Sequence, residues 1–156
     1  LALENVVVAA VLESKMRQCA EVGVSLVAHV SIPEGLPLDE LDVASIFFNL
    51  IDNARYACEV LLANTDTDAG KTMAQPQIAV RSWVQAGQLF VGVDNPSSAN
   101  TGKRLRRRER ARQRQTYELA TSIVRAIAER HQGVFESHDT KGSHTASVLI
   151  PLPQTA

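Results

Sequence analysis

Two asparagines stand four residues apart in FFNLIDNARYACE, residues 47–59, where the remaining side chains read as the buried stripe of a helix. A helix turns about 100° per residue, so Asn49 and Asn53 share one edge of the stripe made by Val43, Ile46, Phe47, Leu50, Ile51, Ala54, Cys58 and Leu61. Amides at the margin of a core need hydrogen-bond partners, supplied by neighbouring loops, by a ligand or by a hydrated metal ion. Tyr56, one turn on, either lines a pocket beside them or lies on the helix surface.

Charge is the second chemical signal. The net charge is −1, yet KRLRRRERARQR, residues 103–114, holds eight of the 16 basic residues and one of the 17 acidic ones. A basic strip on an acidic body suits binding to RNA, DNA or an anionic membrane, or else a solvated lid-like segment. No aromatic residue is interleaved in 97–116, so nucleic-acid bases have no stacking platform there. Cys19 and Cys58 are lone thiols without metal or redox spacing. His29, His131, His138 and His144 form no helical phosphoacceptor set, and each reads as structural.

These groups must be held by an aliphatic core, because hydrophobic residues make up 45% of the 156 and aromatics only 4%. One domain over residues 1–156 is expected, with 97–116 as its basic lid-like segment. The chain opens on Leu1 and reads as a piece of something longer. Within it no apolar run approaches the ~20 residues a bilayer crossing needs, and its first residues do not read as a signal peptide with a basic start and a small-residue cleavage site.

Helix formers fill ENVVVAAVLESKMRQCAEVG up to Gly23, and VSLVAHVSI then alternates as a strand with one buried side. Asp39 or Asp42 caps the asparagine-bearing helix, which gives way to the polar loop NTDTDAGKTMAQP, residues 64–76. QIAVRSWV and QLFVGV form a hairpin about Ala86 and Gly87, ELATSIVRAIAERHQG a helix ending at Gly133, and VFESH and TASVLIP a last hairpin. Adjacent strands with interspersed helices predict an α+β fold: a two-layer α/β sandwich whose mixed sheet carries its helices on one face.

The succession of NLIDNA on a helix, VDNP at a strand end, SIVRAIAERHQG and the closing LIPLP resembles the ATP-binding catalytic domain of sensor histidine kinases. That superfamily also includes gyrase, mismatch-repair ATPases and a heat-shock chaperone, and its fold is the Bergerat type. ESKMRQCAEVGVSLVAHVSIPEGLPLDELDVASIFFNLIDNARYACE is similar to the peptide-pheromone and dicarboxylate-sensor branch. The resemblance implies ATP and Mg²⁺ as cofactors, with Asn53 binding the metal and Asn49 supporting it or its water; oxygen donors suit that hard cation. It makes Asn95 the equivalent of the family's adenine-reading acid, with Asp94 beside it. Thr101 and Lys103 would supply a T-x-K element whose lysine reaches a phosphate. The implied partners are upstream dimerisation and phosphoacceptor helices of the same protein and a response regulator, in a homodimer. The implied place is the cytoplasmic side of a membrane-anchored sensor.

One box departs from that family. Glycines are expected before SIV, where free amides would meet phosphates, but the chain reads TYELATSIV, with Glu118 and Ala120 in their place. Their side chains, and the negative charge of Glu118, are expected to obstruct the phosphates. From Arg104 to His131 there is no Gly or Pro, which predicts a last helix that runs back into the basic segment. The alternatives to a kinase domain are a nucleotide-dead interaction module of the same fold and a polyanion-binding module using the basic strip.

Overall fold

The computed structural model describes residues 5–63, 74–97 and 107–154. Its elements are α1 (Val6–Glu21), β1 (Ser25–Ser31), α2 (Glu40–Ala63), β2 (Gln77–Gln85), β3 (Gln88–Pro96), α3 (Arg107–Arg130), β4 (Val134–Thr140) and β5 (Ser143–Pro151). The five strands form one sheet in the order β1-β2-β3-β5-β4. β1 runs parallel to β2 and the other neighbours are antiparallel. The helices pack on one face as expected, which makes the fold a mixed-sheet α+β sandwich. Among the described residues no helix is long and apolar enough to cross a membrane.

Local chemistry sets the element ends. Asn5 Oδ1 accepts from the Val8 amide at 3.1 Å and so caps α1. Gly23, at φ +78, closes the same helix in the left-handed conformation that costs glycine least. Asp39, not Asp42, caps α2: its Oδ1 accepts from the amides of Leu41 (2.8 Å) and Asp42 (3.3 Å). Asp42 instead joins helices, its two oxygens meeting Arg130 Nη2 at 2.8 Å and His131 Nε2 at 2.7 Å. Ala86 and Gly87 both take positive φ in the β2–β3 turn, which matches the twist of a tight hairpin.

The core is aliphatic. Val43, Ile46, Phe47, Leu50, Ile51, Ala54, Cys58 and Leu61 of α2 are all buried, against Ile78 and Val80 of β2, Leu89, Val91 and Val93 of β3, and Ala146, Val148 and Ile150 of β5. α2 lies over the middle of the sheet, and α3 packs beside it against β4 and β5. On the other face the Phe90 ring stacks on Trp83 with centroids 4.4 Å apart. It also lies over Gly92, where an added Cβ would come within 2.8 Å of the ring.

α3 starts at Arg107, inside the basic segment, and runs unbroken for 24 residues. Only its second half is anchored in the core, through Thr121, Val124, Ile127 and Ala128. Its first half crosses the ends of the strands and becomes one wall of a cavity.

Candidate functional site

That cavity, of about 420 Å³, is enclosed by α2, α3, the end of β3 and the β4–β5 hairpin. α2 contributes Asn53, Tyr56 and Ala57, and the end of β3 contributes Asn95 and Ser97. α3 contributes Arg110, Gln113, Arg114 and Tyr117, and the hairpin Ser137, His138, Asp139 and His144.

Asn53 and Asn95 thus meet at one space from different elements, and both are buried, at 8% and 4% exposure. Asn95 reaches it through the alternation of β3, in which Leu89, Val91, Val93 and Asn95 all turn to the helices. Its Nδ2 donates to the Pro96 carbonyl at 2.9 Å. Asn49, one turn before Asn53, does not line the cavity; its Nδ2 donates to the Ser45 carbonyl at 2.7 Å. Asp94 is on the opposite face of the sheet, because adjacent strand residues point apart. There its Oδ2 meets Arg81 Nη2 at 3.0 Å and its Oδ1 accepts from Thr145 Oγ1 at 2.6 Å. Thr101 and Lys103 lie outside the described residues.

The expected obstruction by Glu118 takes another form. Positions 110, 113, 114 and 117 share one helical face, and Glu118, one turn after Arg114 and about 40° further round, is exposed at its edge and does not line the cavity. The wall that α3 presents is therefore cationic and aromatic, with Arg110, Arg114 and Tyr117 rather than a carboxylate. Tyr117 packs edge-on against the His144 ring, centroids 5.2 Å apart.

Tyr56 takes its pocket position rather than an outward one. His138 and His144, read from the sequence as structural, are both on the wall. His144 is the cross-strand partner of Asn95 on one side and of Asp139 on the other. Its Nδ1 lies 2.7 Å from Asp139 Oδ1. The signal for His144 was present in the alternation of His144, Ala146, Val148 and Ile150, which puts all four on the helix-facing side.

A metal would find little to hold it apart from amides. Among the described residues no group of three or more His, Cys, Asp and Glu side chains converges. A cation here would need its remaining oxygens from water and from a bound anion, which is the habit of Mg²⁺ on phosphates.

No family model matches the chain, and no curated protein does. Solved structures do. The histidine kinase AdeS of Acinetobacter baumannii superposes with a TM-score of 0.65 at 14% identity, over 95% of this chain and 64% of its own. The catalytic domain of histidine kinase ThkA, in a nucleotide-free form, gives 0.65 at 14% identity over 94% of this chain and 90% of that one. Full-length ShkA in complex with AMPPNP gives 0.63 at 17% identity over 96% of this chain and 30% of that one. The chain thus spans under two thirds of AdeS and under one third of ShkA, and nearly all of the ThkA catalytic domain. The mixed five-stranded sheet with three helices on one face is the fold of histidine kinase catalytic domains.

Proposed function

We propose that this domain binds ATP with Mg²⁺ in the α2–α3 cavity and is the catalytic domain of a two-component sensor histidine kinase. One observation carries the reading: two buried asparagines from separate elements open on a single cavity whose facing wall holds Arg110 and Arg114. Amide oxygens and guanidinium groups together match a metal-bound polyphosphate, the first through the cation and the second through the phosphate oxygens. Asn53 would hold Mg²⁺ through its carboxamide oxygen, Asn49 would support it from the preceding turn, and the ion would neutralise phosphate charge. Thr101 and Lys103 belong to the same proposal as phosphate contacts, and Asp94 as a group bracing the strand behind Asn95.

In the whole protein the γ-phosphoryl would pass to a histidine on upstream dimerisation helices and then to a response regulator, within a homodimer anchored at a membrane. Residues 1–156 would form one domain, with 97–116 as its basic lid-like segment.

A second reading is favoured by the unbroken course of α3 from Arg107 to Arg130. A continuous helix has no free amides at Glu118 or Ala120 to meet phosphates, so a nucleotide-dead interaction module of the same fold follows if the arginines do not replace them. Titration calorimetry of the domain with Mg·ATP separates the two. Saturable binding that weakens at least about ten-fold in Asn53→Ala supports the kinase reading. No saturable binding in a folded sample overturns the kinase reading and favours the interaction module. A salt-dependent gel shift with RNA or DNA, without nucleotide binding, would instead assign the basic strip to a polyanion.

A further inference from the structure

The arginines of α3 divide between two sides of the helix. Arg110 and Arg114 line the cavity with Tyr117. Counted at about 100° per residue, Arg108 stands on the opposite side from Tyr117, and Arg112, Leu119, Ile123 and Arg130 fall within about 60° of it. All five are exposed, Leu119 at 66% and Ile123 at 40%. Together they make an outward stripe about 33 Å long. No acidic residue stands on it, because Glu109, Glu118 and Glu129 lie beyond its edges.

The chemistry of the stripe changes along the helix. Its first end is cationic: Arg107, Arg108, Arg110, Arg112 and Arg114 stand within eight residues, against Glu109 alone. The next turns put aliphatic side chains in water. A single exposed leucine means little, but Leu119 and Ile123 are neighbours four apart on the line of Arg108 and Arg112. Arg130 closes the stripe, 60% exposed although Asp42 holds it at 2.8 Å.

Guanidinium groups in line with aliphatic side chains match a layer that is anionic at its surface and apolar just beneath. Arginines there meet lipid phosphates, while Leu and Ile enter the boundary of the acyl chains. Duplex DNA or RNA offers the phosphates without the apolar layer, so Leu119 and Ile123 would gain nothing from it. Among the described residues no helix is long and apolar enough to cross a membrane, so the contact is one of a helix lying on the surface.

We propose that the outward stripe of α3 docks this domain on an anionic phospholipid bilayer, with Arg108 and Arg112 on headgroup phosphates and Leu119 and Ile123 at the acyl boundary. The cavity residues of α3 are on its opposite side, so the docked face and the ligand face are separate.

The test is co-sedimentation of the intact domain with phosphatidylcholine vesicles, alone and with about one third phosphatidylglycerol, at low and high salt. Binding is expected to the anionic vesicles only, and to weaken as salt screens the arginines. Arg108→Gln combined with Arg112→Gln should weaken it at least about ten-fold. Leu119→Ser, which leaves every charge in place, should weaken it at least about three-fold. These three side chains are exposed, and circular dichroism checks that each variant is folded. Titration of the same proteins with duplex DNA provides the contrast, since Leu119→Ser should not alter any binding to DNA. Absence of binding to the anionic vesicles, equal binding to neutral ones, or a folded Leu119→Ser that binds vesicles as tightly as the parent overturns the proposal. Binding to duplex DNA in preference to the vesicles overturns it as well and assigns the arginines to nucleic acid.

Discussion

Lys15 Nζ lies 2.7 Å from Asp52 Oδ1 across the α1–α2 interface, with the lysine only 2% exposed. The ammonium also donates to Gln18 Oε1 at 3.0 Å and sits 3.5 Å above the Phe48 ring, so every side of a buried charge is met. Removing one partner is expected to cost more than removing the charge. Asp52→Ala should lower stability by about 3 kcal/mol, because the lysine remains buried without its counter-ion. Lys15→Met, which keeps the volume, should stay within about 1 kcal/mol of the parent. Urea denaturation of the two variants gives the comparison, and an equal loss in both would contradict it.

The thiol of Cys58 is pushed up to about 12, from an ordinary 9.0, first by burial and then by the charges of Cys19 and Glu59. Cys19 is raised too, again chiefly by burial. A thiol whose folded value lies above its unfolded one stabilises the fold fully below the unfolded value. That contribution is lost as pH rises from about 9 towards 12, where the unfolded chain gives up its proton first. Stability measured against pH should therefore fall more steeply over this window in the parent than in Cys58→Ala. At neutral pH neither cysteine should react with a thiol reagent until the chain is unfolded.

α3 ends in a way the sequence did not show. Gly133 was the expected stop, but Gln132 takes the left-handed position, at φ +57. Gly133 serves a different purpose: an added Cβ would lie 2.5 Å from the Leu149 carbonyl oxygen. Gln132→Gly should then stabilise by about 0.5–1 kcal/mol, since glycine relieves the left-handed strain. Gly133→Ala should destabilise by about 2 kcal/mol or more, because backbone stands where the methyl would go. Thermal melts of the pair should move in opposite directions.

How far the sequence could be read follows from where the information lies. The order of helices and strands was legible because α2 repeats every three to four residues and β3 every two, with Gly and Pro between. Asn95 was legible for the same reason, and Asn53 because its helix was. The cavity was not, because it is assembled from a hairpin register and from the face of a helix. Asp139 reaches His144 only through β4–β5 pairing, which a linear chain does not display. Tyr117 lies one residue beyond the aromatic-free stretch 97–116, and it shares a helical stripe with Thr121, Val124 and Ala128. Glu118 is exposed beside the cavity and not in it, a placement that depends on how α3 rolls against the sheet and that its position in the chain does not display.

The last consequence concerns which charge on α3 governs an anionic ligand. Arg114 lines the cavity, whereas Glu118, one turn on, is exposed and outside it. Screening by solvent should make Glu118→Ala nearly silent for ATP affinity, with a change under about two-fold. Reversing the cavity charge by Arg114→Glu should weaken binding by more than about ten-fold, since a carboxylate then faces the phosphates in a partly enclosed space. Placing glycine at both Glu118 and Ala120 acts on the helix instead, lowering its stability by about 1 kcal/mol per site. If calorimetry found the effect of Glu118→Ala equal to that of Arg114→Glu, the ligand would lie along the edge of α3 that carries Glu118, outside the cavity, and the cavity would lose its claim to be the site.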